Sequence, residues 1–177
     1  MKLLKLGQSL GGSNSGGGGA AAFSNKYSLD FDGVDDFVTF GDADVFTPNN
    51  SGANRGFTIS NWINLNANQS QKLVNKWNFF DGSNKNEWEL RTTFFTKPRI
   101  RFFGNASASI YQDLTIDTTL STGTWYHIAF TFDLSSGSTS ITGYLNGVKK
   151  TNGSGATYSS AGTWAAVANT TAPLLFA

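Results

Sequence analysis

The sequence predicts an all-β protein that folds as a two-sheet antiparallel β-sandwich. Aromatic residues make up 14% of the chain and accompany twenty Gly, a composition that favours short strands joined by tight turns. No window carries apolar residues at a sustained helical spacing. Strand-like segments instead follow one another from Lys26 onward, and two packed sheets are an arrangement that buries their apolar faces.

Turn-forming pairs separate the predicted strands. Asn146-Gly147 predicts the clearest hairpin, because both residues tolerate the positive φ of a tight two-residue turn. Similar pairs predict further turns at Asp32-Gly33, Asp81-Gly82 and Ser136-Gly137. The predicted strands are Tyr27–Asp32, Phe37–Phe40, Phe57–Leu65, Lys72–Trp77, Trp88–Phe95, Arg99–Gly104, Ile110–Ile116, Trp125–Asp133, Ser140–Asn146 and Val148–Thr151.

Alternation along two strands predicts which residues face the core. In the strand at 57–65, one side carries Phe57, Ile59, Ile63 and Leu65, and the other side is mostly polar. The strand at 125–133 has so little charge that it is predicted to lie centrally, covered on both faces. Its residues Trp125, Ile128 and Phe130 are predicted to be core, and its histidine, His127, to be structural.

Three motifs occur in the same order as the signature strands of a known family. They are residues 28–38, residues 57–63, and residues 121–133 with the hairpin at 143–148. Together they resemble the laminin-G-like domains of the concanavalin A-like lectin and glucanase superfamily. The resemblance implies a concanavalin A-like jelly roll over residues 26–177, and it makes ligand binding, most often of sugars, the expected use of the fold.

The C-terminal segment departs from that pattern. Domains of this kind finish with a strand that pairs beside the first one, whereas Ala172–Ala177 resembles the strand before it. The closing strand is therefore predicted to be missing. An open edge at Tyr27–Asp32 would be prone to pairing, so we expect another subunit, another protein or the C-terminal segment to cover it.

Composition argues against several classes of partner and cofactor. The formal net charge is +1, which gives no electrostatic case for nucleic acid or an anionic membrane as partner. No apolar run has the length of a membrane span. The chain contains no cysteine, which excludes disulfides, thiolate chemistry and cysteine-bound zinc. Calcium is the only cofactor for which candidate ligands are present.

The carboxylates do not predict an enzyme. A retaining glycosidase needs two carboxylates about 5–5.5 Å apart. The glutamates of the chain, Glu87 and Glu89, are two residues apart on one predicted strand, hence about 6.5–7 Å apart on one face. Arg91, Arg99 and Arg101 accompany them, and an ion-paired, solvated face explains all five. The Glu-x-Asp-x-x-Glu strand of the glucanase branch is also missing, so no catalytic residues are predicted.

Two loops carry candidate ligand-binding residues. The segment 77–86 combines aromatic rings with amides and a carboxylate, the groups that hold sugars. The predicted glycan contacts are Trp77, Phe80, Asp81 and Asn84. The weaker candidates for calcium are the loop carboxylates of Asp35, Asp36 and Asp81, because calcium prefers oxygen ligands.

Residues 1–25 are predicted to be a flexible arm and a Gly-rich tether. The arm carries four leucines, Leu3, Leu4, Leu6 and Leu10, as a candidate attachment device. Arm, tether and cysteine-free sandwich resemble the structural proteins of tailed-bacteriophage virions. We therefore expect a non-enzymatic decoration protein that contacts capsid or tail proteins, copies of itself and surface glycans. The alternatives are a secreted or cell-surface bacterial lectin module and, last, a glycoside hydrolase.

Overall fold

The computed structural model describes residues 28–48, 56–78, 85–105, 108–133 and 140–177. The chain divides into one unit that ends at Asp36 and a second that spans Phe37–Ala177. In the first unit, the prediction of a strand at Tyr27–Asp32 is wrong for residues 28–32, which form no strand. The Asp32 carboxylate accepts a hydrogen bond from the Val34 backbone N–H at 2.8 Å, and such a local turn competes with sheet pairing.

The described residues of the second unit form short strands and one 3₁₀ turn at Asp44–Phe46. The strands are β1 (Val38–Thr39), β2 (Gly56–Asn64), β3 (Lys72–Asn78), β4 (Lys85–Thr92), β5 (Pro98–Phe103), β6 (Tyr111–Ile116), β7 (Trp125–Asp133), β8 (Ser140–Leu145), β9 (Val148–Asn152), β10 (Gly155–Ala161) and β11 (Leu174–Phe176). The part of the chain that the structure describes contains no α-helix, and so no helix that could cross a membrane. The prediction of an all-β fold is confirmed.

The strands form two layers that are joined along one side. The long sheet has the order β1-β11-β3-β4-β5-β6-β10, and the short sheet has the order β9-β8-β7-β2. Within each sheet the neighbouring strands are antiparallel. A parallel pairing of two residues between β9 and β10 connects the two sheets, so that the eleven strands follow one another in a single curled sheet.

The core lies between the two sheets. Phe102 of the long sheet stacks on Phe132 of the short sheet with ring centroids 3.9 Å apart, and Phe57 packs against Trp88 at 4.9 Å. Aromatic rings bury large apolar areas, and offset stacks of this kind add to the gain from burial. The side chain of Phe130 is also fully buried, as its strand pattern predicts.

The core prediction fails at one residue of β7. Ile128 is buried as predicted, but Trp125 is 50% exposed. β7 is central, with β2 and β8 on its two sides, yet its outward face is open to solvent among the described residues. The low charge of the strand therefore predicted its central position correctly. The prediction that its outward face is covered as well is wrong.

The C-terminal strand also differs from the prediction. β11 lies between β1 and β3, with Val38 opposite Phe176 and Leu174 opposite Lys76. The C-terminal segment thus forms a strand beside the one predicted at Phe37–Phe40, and the sheet edge expected at Tyr27–Asp32 does not form among the described residues 28–32. The three residues of β11 are too few to show an alternating pattern, which is why the sequence alone did not place it.

Candidate functional site

The face of the long sheet that points away from the core carries a cluster of charged side chains. Side chains alternate along each strand, and the register of β3 to β6 places the outward ones in adjacent rows. One row crosses Glu89, Arg101 and Asp113, and the next crosses Arg91 and Arg99. We call this surface the charged face; its residues are Lys72, Asn75, Trp77, Glu89, Arg91, Arg99, Arg101, Tyr111 and Asp113.

Ion pairs order the middle of the charged face. Arg101 donates to the Asp113 carboxylate from Nε at 2.8 Å and from Nη2 at 2.5 Å. Arg99 donates from Nη2 to Glu89 at 3.2 Å, and Nη1 of Arg91 lies 3.5 Å from the same carboxylate oxygen. Glu89 is only 3% exposed, so the prediction of a solvated strand face is wrong. Its carboxylate is sheltered and is bound by two guanidinium groups.

Aromatic rings frame the ion pairs on two sides. The Nζ of Lys72 lies over the ring of Trp77, and the guanidinium of Arg101 lies 4.0 Å from the ring centroid of Tyr111. Both contacts are cation–π interactions, which strengthen where water is partly excluded. Burial lowers the pKa of Lys72 to about 8, an effect that the Glu89 carboxylate opposes and Arg91 reinforces.

Glu87 does not lie on the charged face. The register between β3 and β4 shifts between Lys76 and Trp77, so that Glu87 lies in a β-bulge. Its side chain turns inward and is completely buried. The predicted pairing of Glu87 with Glu89 on one face is therefore wrong, because the strand is not a regular alternating ladder at this point.

The buried Glu87 anchors an internal polar network. Nζ of Lys76, also fully buried, donates to Glu87 and to Asp42, each at 2.7 Å. Glu87 also accepts hydrogen bonds from the hydroxyl of Thr47 and from the backbone N–H and hydroxyl of Thr170. These contacts satisfy the buried charges and join β3 and β4 to the segments that follow β1 and precede β11.

Comparison with known proteins agrees with this architecture. Residues 32–172 match a laminin-G-type family model described as the concanavalin A-like lectin/glucanases superfamily. The chain belongs to that superfamily. No curated protein and no solved structure matches it. Membership supports a fold of the carbohydrate-binding type, and the superfamily contains both lectins and glucanases.

The structure places only part of the glycan site that the sequence predicts. Trp77 lies on the charged face, at the end of β3. Phe80, Asp81 and Asn84 lie outside the described residues, as do the attachment leucines Leu3, Leu4, Leu6 and Leu10. The sequence analysis interpreted the arginines as structural partners and did not predict that they lie on the same outward face as Trp77. The alternation of Arg99 and Arg101 with the apolar Ile100 is the sequence signal that could have predicted this shared outward face.

The calcium candidates Asp35 and Asp36 lie in the first unit, where Asp32 joins them. One ligand oxygen from each of the three exposed carboxylates falls within 4.8 Å of the others. Backbone N–H groups of Val34 and Asp35 donate to Asp32, which lowers the pKa of its carboxyl. Asp81 lies outside the described residues. Calcium binding by this turn stays a prediction.

The outward face of the short sheet, built by β2 and β7, is polar and aromatic but carries little charge. His127 is half-buried there, as predicted, and its Nε2 lies 2.8 Å from the Ser60 hydroxyl. Its backbone N–H donates to the Asn146 side chain of the predicted hairpin turn, which has φ of 49° at Asn146 and 79° at Gly147. These contacts give His127 a structural role. Trp62, in ring contact with His127, is 62% exposed.

Proposed function

We propose that the charged face binds a carbohydrate and that the domain does so without hydrolysing it. The observation that carries this proposal is the combination of the half-buried Trp77 and Tyr111 with ion-paired arginines and carboxylates on one outward sheet face. Sugars present apolar C–H faces that pack on aromatic rings and hydroxyl groups that bond to charged and amide side chains. The charged face offers both kinds of contact within adjacent strands.

The arrangement of carboxylates favours binding over hydrolysis. Glu89 is held by Arg99 and Arg91, and Asp113 is held by Arg101 through two nitrogens. Their strands are separated by β5, which puts their Cα atoms about 10 Å apart at ordinary strand spacing. Glycoside hydrolysis needs one carboxyl group to donate a proton and another to attack or activate water. A pair already engaged by arginine is poorly arranged for those two tasks.

An array of printed neutral, carboxylated and sulfated oligosaccharides tests the binding proposal. The full chain should bind a subset of them. Trp77→Ala should reduce the affinity about tenfold, which corresponds to the loss of an aromatic contact that contributes about 1.5 kcal/mol. Trp62→Ala is the matched control, because it removes an exposed tryptophan from the other sheet. Absence of any binding, or equal loss in both variants, would refute the proposal.

Hydrolysis is checked on the same protein. We expect no reducing sugar to be released from laminarin-type glucans or from any oligosaccharide that the array identifies. Release that disappears in Glu89→Gln or Asp113→Asn, in a variant that melts like the parent, would establish a hydrolase instead.

We also propose that the domain acts on the surface of a bacteriophage virion, held there by residues 1–10. Sequence pattern alone supports this proposal: a leucine-bearing arm is followed by a Gly-rich tether that suits display at a distance. Mass spectrometry of purified particles should detect the chain with its first residues intact. A mature protein cleaved within residues 1–25 and recovered from the medium would favour a secreted lectin module.

A further inference from the structure

We propose that the domain cross-links itself by forming an amide bond between the side chains of Lys76 and Asp42. In this reaction Nζ of Lys76 attacks the carboxyl carbon of Asp42, and Glu87 carries a proton from the nitrogen to the oxygen that leaves. The reaction is independent of the charged face and of any ligand bound there. It follows from the burial of the lysine, from its two carboxylate contacts, and from the hydrogen bonds that hold Glu87.

The three reacting groups lie in contact with one another. Nζ of Lys76 is 2.7 Å from Oδ1 of Asp42 and 2.7 Å from Oε1 of Glu87. The side chains of Lys76 and Glu87 are fully buried, whereas 34% of the Asp42 side chain is exposed. Groups held together in this way react as if they were present at very high concentration, which offsets the slowness of amide formation between an amine and an acid in water.

The hydrogen bonds of Glu87 distinguish the roles of the two carboxyl groups. Its Oε1 accepts from the backbone N–H and the hydroxyl of Thr170, and its Oε2 accepts from the hydroxyl of Thr47. These bonds fix Glu87 beside Nζ as a proton acceptor, the placement expected of a general base. Asp42 reaches the lysine from the surface and is the group that is attacked. Its exposed side gives the released water a path to solvent.

The reaction is a condensation that releases one water molecule. One proton moves from the Lys76 ammonium to the Asp42 carboxylate, which leaves a neutral amine and a neutral acid. The lone pair of the amine then forms the C–N bond at the carboxyl carbon. Glu87 takes a second proton from the nitrogen and delivers it to the hydroxyl oxygen, whose C–O bond breaks as water leaves. The third proton stays on the amide nitrogen, and no oxidant or other reactant is consumed.

The surroundings of the lysine favour the amide over the ion pair. Before the reaction Lys76, Asp42 and Glu87 all carry charge at a site from which water is largely excluded, and such charges are costly to desolvate. After the reaction only Glu87 is charged. It keeps its hydrogen bonds from Thr47 and Thr170, and the new amide N–H lies beside it as a further donor.

The cross-link secures one edge of the long sheet. Asp42 follows β1, Lys76 lies in β3, and β11 runs between these two strands. β1 pairs with β11 through only two residue pairs, so few hydrogen bonds hold this edge. A covalent link across it stabilises the fold because it restricts the unfolded chain. The chain contains no cysteine, so a disulfide cannot do the same.

The intact mass of the full chain, measured under denaturing conditions, tests the proposal. The protein should be lighter by one water molecule than the mass calculated for its residues. Trypsin does not cleave after a lysine whose amine is an amide, so residues 73–85 should appear joined to residues 27–55, the peptide that contains Asp42. A full calculated mass in the folded protein would overturn the proposal. A link from Lys76 to residues 86–91, which contain Glu87, would overturn the assignment of Asp42 as the attacked group.

One other reaction gives the same change in mass and must be distinguished. Asp-Gly pairs lose water when they cyclise to a succinimide, and the sequence contains such pairs at Asp32-Gly33 and Asp81-Gly82. Tandem mass spectrometry locates the loss. A loss at either pair, with no joined peptide, would contradict the cross-link.

Three variants test the assigned roles. Asp42→Ala should have its full calculated mass, and Glu87→Gln should form the joined peptide roughly a hundredfold more slowly or not at all, sampled from the time the protein is first produced. Lys149→Met, which removes an exposed lysine of β9, is the matched control and should lose water as the parent does. Water loss in Asp42→Ala would refute the site, and an unchanged rate in Glu87→Gln would refute the role of Glu87. The parent's own mass decides the proposal even if a variant does not fold.

Discussion

Replacement of Lys76 by Met should destabilise the domain more than most single substitutions. The Lys76 ammonium is fully buried and contacts Glu87, which is also fully buried, and Asp42, which is partly exposed. Met fills a similar volume but carries no charge. The variant would therefore leave Glu87 charged inside the protein, with hydrogen bonds from Thr47 and Thr170 but without its cation.

The expected cost follows from that burial. Removing one partner of a buried ion pair costs about 3–5 kcal/mol, because the remaining charge is desolvated without compensation. Whole domains are stable by only about 5–15 kcal/mol. At roughly 2–4 °C per kcal/mol for a chain of this size, the melting temperature should fall by roughly 6–20 °C. The double variant Lys76→Met with Glu87→Gln removes both charges and should be more stable than Lys76→Met alone.

Urea unfolding followed by tryptophan fluorescence measures the effect, since Trp88 is buried beside the network and its indole N–H donates to the Phe46 carbonyl at 2.7 Å. Lys149→Met, at an exposed position, is the control and should change the unfolding free energy by less than about 0.5 kcal/mol. A Lys76→Met variant within about 1 kcal/mol of the parent would refute the argument. A double variant that is less stable than Lys76→Met would refute it as well.

Two further predictions concern the core and the charged face. Phe130→Ala should cost about 3–5 kcal/mol, because the ring is buried between the sheets, and a change of one or two degrees in melting temperature would contradict that placement. Lys72 should make stability depend on pH, because its pKa is about 8 in the folded protein and 10.5 when unperturbed. Between these two values the unfolded chain binds more protons than the folded protein. The free energy of unfolding should therefore rise with pH from about 8 to 10.5. Lys72→Met should abolish that rise in urea unfolding midpoints; an identical pH profile in both proteins would show that Lys72 is not perturbed by burial beside Glu89 and Arg91.

The class of fold could be predicted from the sequence because its signals are local and repeated. The alternation of Phe57, Ile59 and Ile63 with polar residues fixes which face of β2 is inward, and the Asn146-Gly147 turn fixes the β8–β9 hairpin. Such signals depend on nearest neighbours along the chain. They therefore do not depend on how distant segments of the chain pair.

The arrangement of the candidate site could be predicted only in part, because it depends on pairing between distant segments. A one-residue bulge opposite Lys76 turns Glu87 inward, and the local sequence contains no pattern that indicates this irregularity. β10 was not predicted at all, since Gly155–Ala161 is rich in small and hydroxyl residues and acquires its strand from pairing with β6. The rows of the charged face exist only once β4, β5 and β6 are in register.

The pairing of β1 with β11 has a consequence for protein engineering. With Val38 opposite Phe176, the two ends of the unit Phe37–Ala177 lie in adjacent strands, separated by about one strand spacing. A few linker residues could join them, and new termini could then be opened at the exposed Asn146-Gly147 turn. The same proximity makes this unit suitable as a guest domain, inserted into a surface loop of another protein through two closely spaced connections.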